Sequence, residues 1–340
     1  MSNKNSDFKP YIPADRVVPE FTVTSVLIGI LLAIVFGAAN AYLGLKVGMT
    51  ISASIPAAVI SMAIIRVILR RDSILENNLV QTIGSAGESV AAGAIFTLPA
   101  LFLWAKDGII DMPSVVTLGL VALVGGVLGV IFMVPLRQAL IVEEHGVLPF
   151  PEGTACAEVL LAGEEGGSKA SAVFSGLGIA ALYKLVSDGF KIFPSEIGHD
   201  IAFYKGSSIG IQVLPSLVGV GVAIVVEIVG VQVMPFAVGM YLPFSLSAGI
   251  MAGGIVRWFM ERRKNVSDEE RRAGVDRGVL YTSGLIAGEG LMGVVLAALA
   301  AGKVNTDFSG IVDLGSFGSI VLFLALLGTL VKVCLGKKKA

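Results

Sequence analysis

The chain of 340 residues is 55% hydrophobic and only 15% charged, with 25 Lys and Arg against 26 Asp and Glu for a net charge of −1. A soluble globular chain carries about 25% charged residues, so this one could not cover a water-facing surface, and its near-zero charge offers no basic face to nucleic acid. With a mean hydropathy of +0.85 and 42 glycines, which suit close helix packing inside lipid, it reads as an all-α, polytopic helical membrane protein embedded in the bilayer. A soluble enzyme and a disulfide scaffold are excluded on the same grounds.

A helix needs about 20 mostly apolar residues to cross the hydrocarbon core. Ten candidate segments meet or approach that length, near 23–42, 50–69, 77–104, 114–135, 148–162, 171–186, 207–230, 232–260, 279–301 and 311–334. The fifth is short and carries Glu152 and Glu158, which suggests a re-entrant segment. The third and eighth are overlong and broken by glycine, as expected of a half-helix followed by a full one. The count is therefore about eight to ten transmembrane segments, some re-entrant or broken.

Lys and Arg set the expected orientation. Lys4, Lys9 and Arg16 precede the first segment, and Arg66, Arg70 and Arg71 close the second. Arg137, Arg262, Arg263 and Lys264 follow later segments, and Lys337, Lys338 and Lys339 end the chain. If every segment crosses, all of these fall on one face, so both termini are expected in the cytoplasm. The chain then divides into a tail over 1–22, an N-terminal bundle over 23–206 and a C-terminal bundle over 207–340, with a charged cytoplasmic loop at 261–278. The first 22 residues hold acids and prolines and lack the apolar core of a cleaved signal.

An internal repeat links the two bundles. Val47-Gly48-Met49 precedes Arg66 by the same interval that separates Val238-Gly239-Met240 from Arg257, and Ser54 and Ser245 share that offset. Downstream, Thr82-x-x-x-Ala86-Gly87-Glu88 matches Ser283-x-x-x-Ala287-Gly288-Glu289. Both copies run the same way across the membrane, a weak parallel repeat of a kind that places a binding site between halves near the midplane.

Ionisable groups inside lipid are costly and need a reason. Glu88 and Glu289 sit in the paired Ala-Gly-Glu words. Around Glu88 the run from Asn77 to Ser85, including Gln81, is too polar for a lipid-facing helix. One reading is a broken, water-lined segment around Gly84–Ser89 whose carboxylate takes a proton or an amine. The other is a carboxylate capping the N-terminus of a half-helix, where the dipole favours negative charge. Pro149, Pro151, Glu152, Gly153 and Thr154 spell a helix start; at membrane depth such a start points N–H groups into a cavity. Asn40 and Lys46 end the first segment, and Tyr241 and Ser245 lie in the break of the eighth. Glu227 interrupts an otherwise apolar run, with a partner or a proton as its two readings.

His145 and His199 have no neighbours at metal-ligand spacing, and Cys156 and Cys334 lie far apart in apolar runs, so neither a metal site nor a cofactor is expected. The motifs of zinc proteases, P-loop nucleotide binding and the hydrolase nucleophile elbow are missing. ATP cannot drive transport on such a chain, which leaves an ion gradient as the energy source.

The words AANAYLGLKVGMTISASIPAAVIS, NNLVQTIGSAGESVAAGAIFTLPAL, LPFPEGTACAEVLLAGEEGG, PFAVGMYLPFSLSAGIMAGGIVRW and SGLIAGEGLMGV, in this order over residues 21–295, resemble the oligopeptide transporter superfamily, which includes bacterial oligopeptide transporters and yellow-stripe-like carriers of metal chelates. The resemblance implies a secondary active transporter in the plasma (inner) membrane, a proton-coupled symporter of short oligopeptides or peptide-like metal chelates, working by alternating access. In that reading Glu88 and Glu289 are proton or amine sites, and Gln81, Ser85, Glu152, Thr154, Asn40, Tyr241 and Ser245 line the pocket. The chain departs from the pattern near residue 220, where the family's first and last portions meet with its central block of helices missing. A second copy or a partner chain would then complete the bundle. The alternatives are an ion-translocating channel or pump, and a truncated, inactive remnant.

Overall fold

The computed structural model describes residues 10–13, 15–47, 50–71, 73–145, 148, 150–192, 213–231, 233–241, 244–264, 266–306 and 314–336. These form helices and connecting segments with no strand among them. Twelve α-helices follow in order: α1 (Val23–Val47), α2 (Ser54–Met62), α3 (Ile74–Thr97), α4 (Pro99–Lys106), α5 (Val115–Arg137), α6 (Pro151–Glu165), α7 (Gly167–Lys184), α8 (Val213–Ile228), α9 (Val233–Tyr241), α10 (Phe244–Glu261), α11 (Asp268–Ala301) and α12 (Gly315–Leu335). The second, fifth and seventh each close in a π-helical turn, at Ala63–Ile68, Gln138–Glu143 and Leu185–Gly189.

Six stretches are long and apolar enough to cross a membrane: Val23–Leu45, Ile74–Lys106, Val115–Glu143, Gly167–Gly189, Asp268–Ala301 and Gly315–Leu335. Ser54–Ile68 and Val218–Ile228 are shorter apolar helices. The chain is thus an all-helical integral membrane protein with six full-length spans among the described residues.

Two parallel helix pairs organise the bundle, each closed by glycine. In the first, Gly29 of α1 faces Ile83 of α3, Gly37 faces the Gly87 carbonyl and Gly44 faces Ile95. In the second, Gly176 of α7 meets the Tyr281 carbonyl of α11, while Gly284 and Gly288 meet the carbonyls of Val173 and Leu177. Such contacts bring backbone against backbone, the way small residues let helices associate where lipid removes the hydrophobic drive. The matching Ala-Gly-Glu words therefore occupy matching places: Gly87 sits against Ala33 of α1 and Gly288 against Leu177 of α7.

Between the pairs lies α2, whose Ile55, Pro56, Ala57, Ala58, Val59 and Met62 are all buried. One side of it joins Leu32, Phe36 and Val80 of the first pair. Its other side joins Ala155, Val159 and Leu160 of α6 with Val173, Leu280 and Ala287 of the second.

The fifth candidate segment forms α6, whose 15 residues are fewer than a full span needs. Residues of α6 meet α2 in parallel register, with Glu152 at Ser52, Cys156 at the Ser54 carbonyl (3.7 Å) and Gly163 at Met62. Because α2 is antiparallel to α3, with Ala57 near Gly84 and Ser61 bonded to the Asn77 carbonyl, α6 is antiparallel to α3 as well. The chain enters α6 at Pro151. Gly166 and Gly167 then reverse it into α7, both at positive φ (69° and 64°) where a side chain would be strained.

Two expectations need correction. The Gly84–Ser89 stretch is continuous α-helix, not a break; its glycines serve packing, and the interruption of this span falls at Leu98–Pro99, where proline opens α4. In the second copy, residues 242–243, where the sequence places a break, lie outside the described residues, and α11 takes α7 as its close partner, not α9. The calls on His199 and on the side chains of Lys46, Tyr241 and Ser245 lie outside the described residues.

Candidate functional site

Residues 51–53 lie outside any helix and lead into α2, with Ala53 at its N-cap, and three elements converge on them. Asn40, fully buried in α1, accepts a hydrogen bond from the Ile51 N–H (2.7 Å) and donates one to the Ile51 carbonyl (3.0 Å). Both ends of its amide are thus spent on one backbone residue. The next hydroxyl, Ser52 Oγ, donates to Glu152 Oε1 in the first turn of α6. After it the Ala53 N–H, at the N-cap of α2, points to Glu88 Oε2 at 3.5 Å.

Two carboxylates from different helices therefore meet at the N-terminus of one half-helix, beside the N-terminus of another. A helix start leaves N–H groups without partners and carries the positive end of the macrodipole, so this is where negative charge is cheapest inside the bundle. The capping reading of Glu88 describes this contact, with the half-helix supplied by α2 and not by α3.

A groove of about 550 Å³ runs from this junction between α3 and α6. Asn78, Gln81, Thr82 and Ser85 of α3 line it opposite Gly153, Cys156 and Leu160, and Pro10, Tyr11 and Ile12 cross its far end. The Gln81 amide donates to Asn78 Oδ1 (3.1 Å) and Thr82 Oγ1 (2.9 Å). Ser85 donates to the Thr82 carbonyl, at 3.2 Å. Thr154 is exposed in the first turn of α6. A volume of this size falls within the range of small-molecule pockets.

Glu289 stands apart from this groove but not far along α11. It is paired with Lys184 of α7 at 3.3 Å, and Lys184 is also paired with Asp188, one turn on in the π-helical turn, at 2.8 Å. The neighbouring Gly290 faces α2: a Cβ there would lie 2.6 Å from Pro56 Cγ. Ser52, Lys184 and Asp188 were not singled out from the sequence. The signal for the last two was present, since a Lys and an Asp four residues apart in an apolar span call for partners. Glu227 is exposed on α8. No group of metal-ligating side chains occurs among the described residues.

With this geometry in view, the comparisons with known proteins decide the family. The sequence model of the OPT oligopeptide transporter protein family matches residues 20–232 and again 217–300. The chain belongs to the OPT oligopeptide transporter family. The two matches overlap over residues 217–232, beginning inside α8, where the sequence reading put the junction between the family's first and last portions. A Haemophilus influenzae protein named "Putative oligopeptide transporter" is 42% identical over 153 residues, which is 44% of this chain and 23% of that protein. The chain thus spans under a quarter of that relative in the matched region. No solved structure matches it.

Proposed function

We propose that the protein is a proton-coupled secondary transporter of short peptides or peptide-like chelates, with its binding site at the paired N-termini of α2 and α6. One observation carries the reading: Glu88 and Glu152 both occupy the start of α2, through the Ala53 N–H and the Ser52 hydroxyl. Broken helices in transporters use such N-termini to hold the carboxylate of a substrate. Here protein carboxylates hold that place, and a proton reaching Glu88 weakens its hold on α2 and frees the helix start for the peptide carboxylate. Proton and peptide then enter together, which is the requirement of symport.

Gln81, Ser85 and Thr154 line the path, Asn40 fixes the turn that presents the donors, and Glu289 takes the peptide amine. Tyr241 and Ser245 are the pocket residues contributed by the second copy. Membership of a transporter family and six full-length spans support the coarse reading. The site lies in the plasma membrane with both termini cytoplasmic, and a second copy or partner chain completes the bundle.

The test is uptake of a mixed di- to pentapeptide pool into proteoliposomes under an imposed inward proton gradient. Protonophore-sensitive accumulation is expected from the wild type and is lost in Glu88→Gln with helicity unchanged. Unchanged uptake by that variant removes Glu88 from the mechanism, and a folded wild type that accumulates nothing overturns the reading.

A further inference from the structure

The Lys184–Asp188–Glu289 cluster carries two negative charges and one positive charge between two helices that both belong to membrane-spanning stretches. One carboxylate is in excess, and the geometry says which. Lys184 and Asp188 are one turn apart on the same helix and 2.8 Å apart, with both side chains mostly covered (23% and 30% exposed). The contact to Glu289 is longer, 3.3 Å, crosses from α7 to α11, and ends on a carboxylate that is 55% exposed. Lys184 thus has a counter-ion of its own and shares a second contact with Glu289. Tyr183, half-buried on the same helix, is a further titratable group close to all three.

We infer that Lys184 is a built-in competitor for the substrate ammonium at Glu289, so that the protein selects peptides with a free amino terminus. This rests on the reading of the protein as a peptide carrier and adds to it the group that sets substrate class. When an ammonium reaches Glu289, Lys184 keeps Asp188, and the number of ion pairs is conserved through the exchange. No charge is stranded in lipid at any stage, which an isolated Glu289 could not achieve. The location suits the carboxylate site proposed above. Gly290, next in sequence to Glu289, abuts Pro56 and the Ser52 carbonyl at the start of α2, so the helix that carries Glu289 packs directly against the segment that carries the carboxylate site.

The experiment measures binding of di-alanine and of N-acetyl-di-alanine to the purified full chain, by calorimetry without any gradient. Wild type prefers the free amine. In Glu289→Gln that preference disappears while the acetylated peptide binds as before. Asp188→Asn leaves Lys184 with Glu289 alone and weakens free-amine binding by about tenfold. Lys184→Met/Asp188→Asn keeps the net charge of the cluster, removes the competitor and strengthens free-amine binding by a similar factor. Lys184→Arg retains the wild-type preference. Equal preference in all variants overturns the inference while leaving the carrier reading standing, since the wild type still binds peptide. A wild type that binds neither peptide overturns both.

Discussion

Gly288 of α11 lies directly on the Leu177 carbonyl of α7, so that a methyl group added there would overlap the oxygen. Gly87 of α3 stands in the same relation to the Ala33 carbonyl of α1. The obstacle in each case is backbone, not the movable end of a side chain, so the helices themselves must separate. Gly288→Ala and Gly87→Ala are each expected to destabilise the protein by about 1–3 kcal/mol. Gly125→Ala, where nothing lies within 4 Å, should be neutral. Unfolding by titration with a denaturing detergent compares the three, and equal midpoints for all would show that the glycine contacts do not hold the pairs together.

Asn40 supports the turn before α2 with both halves of its amide. Asn40→Ala leaves the Ile51 N–H and carbonyl without these bonds in a partly buried place, at a cost of about 1–3 kcal/mol. The same detergent titration should show the loss. Uptake per folded molecule should also fall, because Ser52 and Ala53 are then held less firmly.

Gly166 joins α6 to α7 with φ 69° and ψ −153°, a region open essentially to glycine alone. Gly166→Ala is expected to cost about 1–3 kcal/mol. Protease susceptibility at residues 164–168 is a direct readout: faster cleavage in the variant is expected, and an unchanged rate would mean that the turn relaxes into another conformation.

Ser52→Ala removes the hydroxyl that binds Glu152 and alters nothing in the core of α2. Stability should change by less than about 1 kcal/mol, while gradient-driven uptake falls and Glu152→Gln adds little to it. Additive losses in the double variant would show that Ser52 and Glu152 act separately.

Much of this architecture was legible before any coordinates. The two Ala-Gly-Glu words and the helix start at Pro151 and Glu152 stand where the sequence put them. The polar run over 77–85 read as a break because polar residues in a span usually accompany one. It is instead an unbroken helix whose hydroxyls bond back to their own carbonyls, as Thr82 does to Asn78 and Ser89 to Ser85. Asn40 was legible as a polar residue ending the first segment, but its partner, Ile51, lay eleven residues ahead in a segment that only packing positions.

The sequence by itself determined that this is a helical membrane protein and roughly where each helix lies. In lipid each helix must satisfy its own backbone, so local apolar length settles the matter. Tertiary structure alone decided which helices meet. The pairing of α11 with α7, the meeting of Glu88 and Glu152 at α2, and the bond from Lys184 to Glu289 join residues from 35 to 111 positions apart. Hydropathy is nearly the same on every candidate face, so the choice rests on where a glycine lets one backbone touch another and on where a charge finds its counterpart.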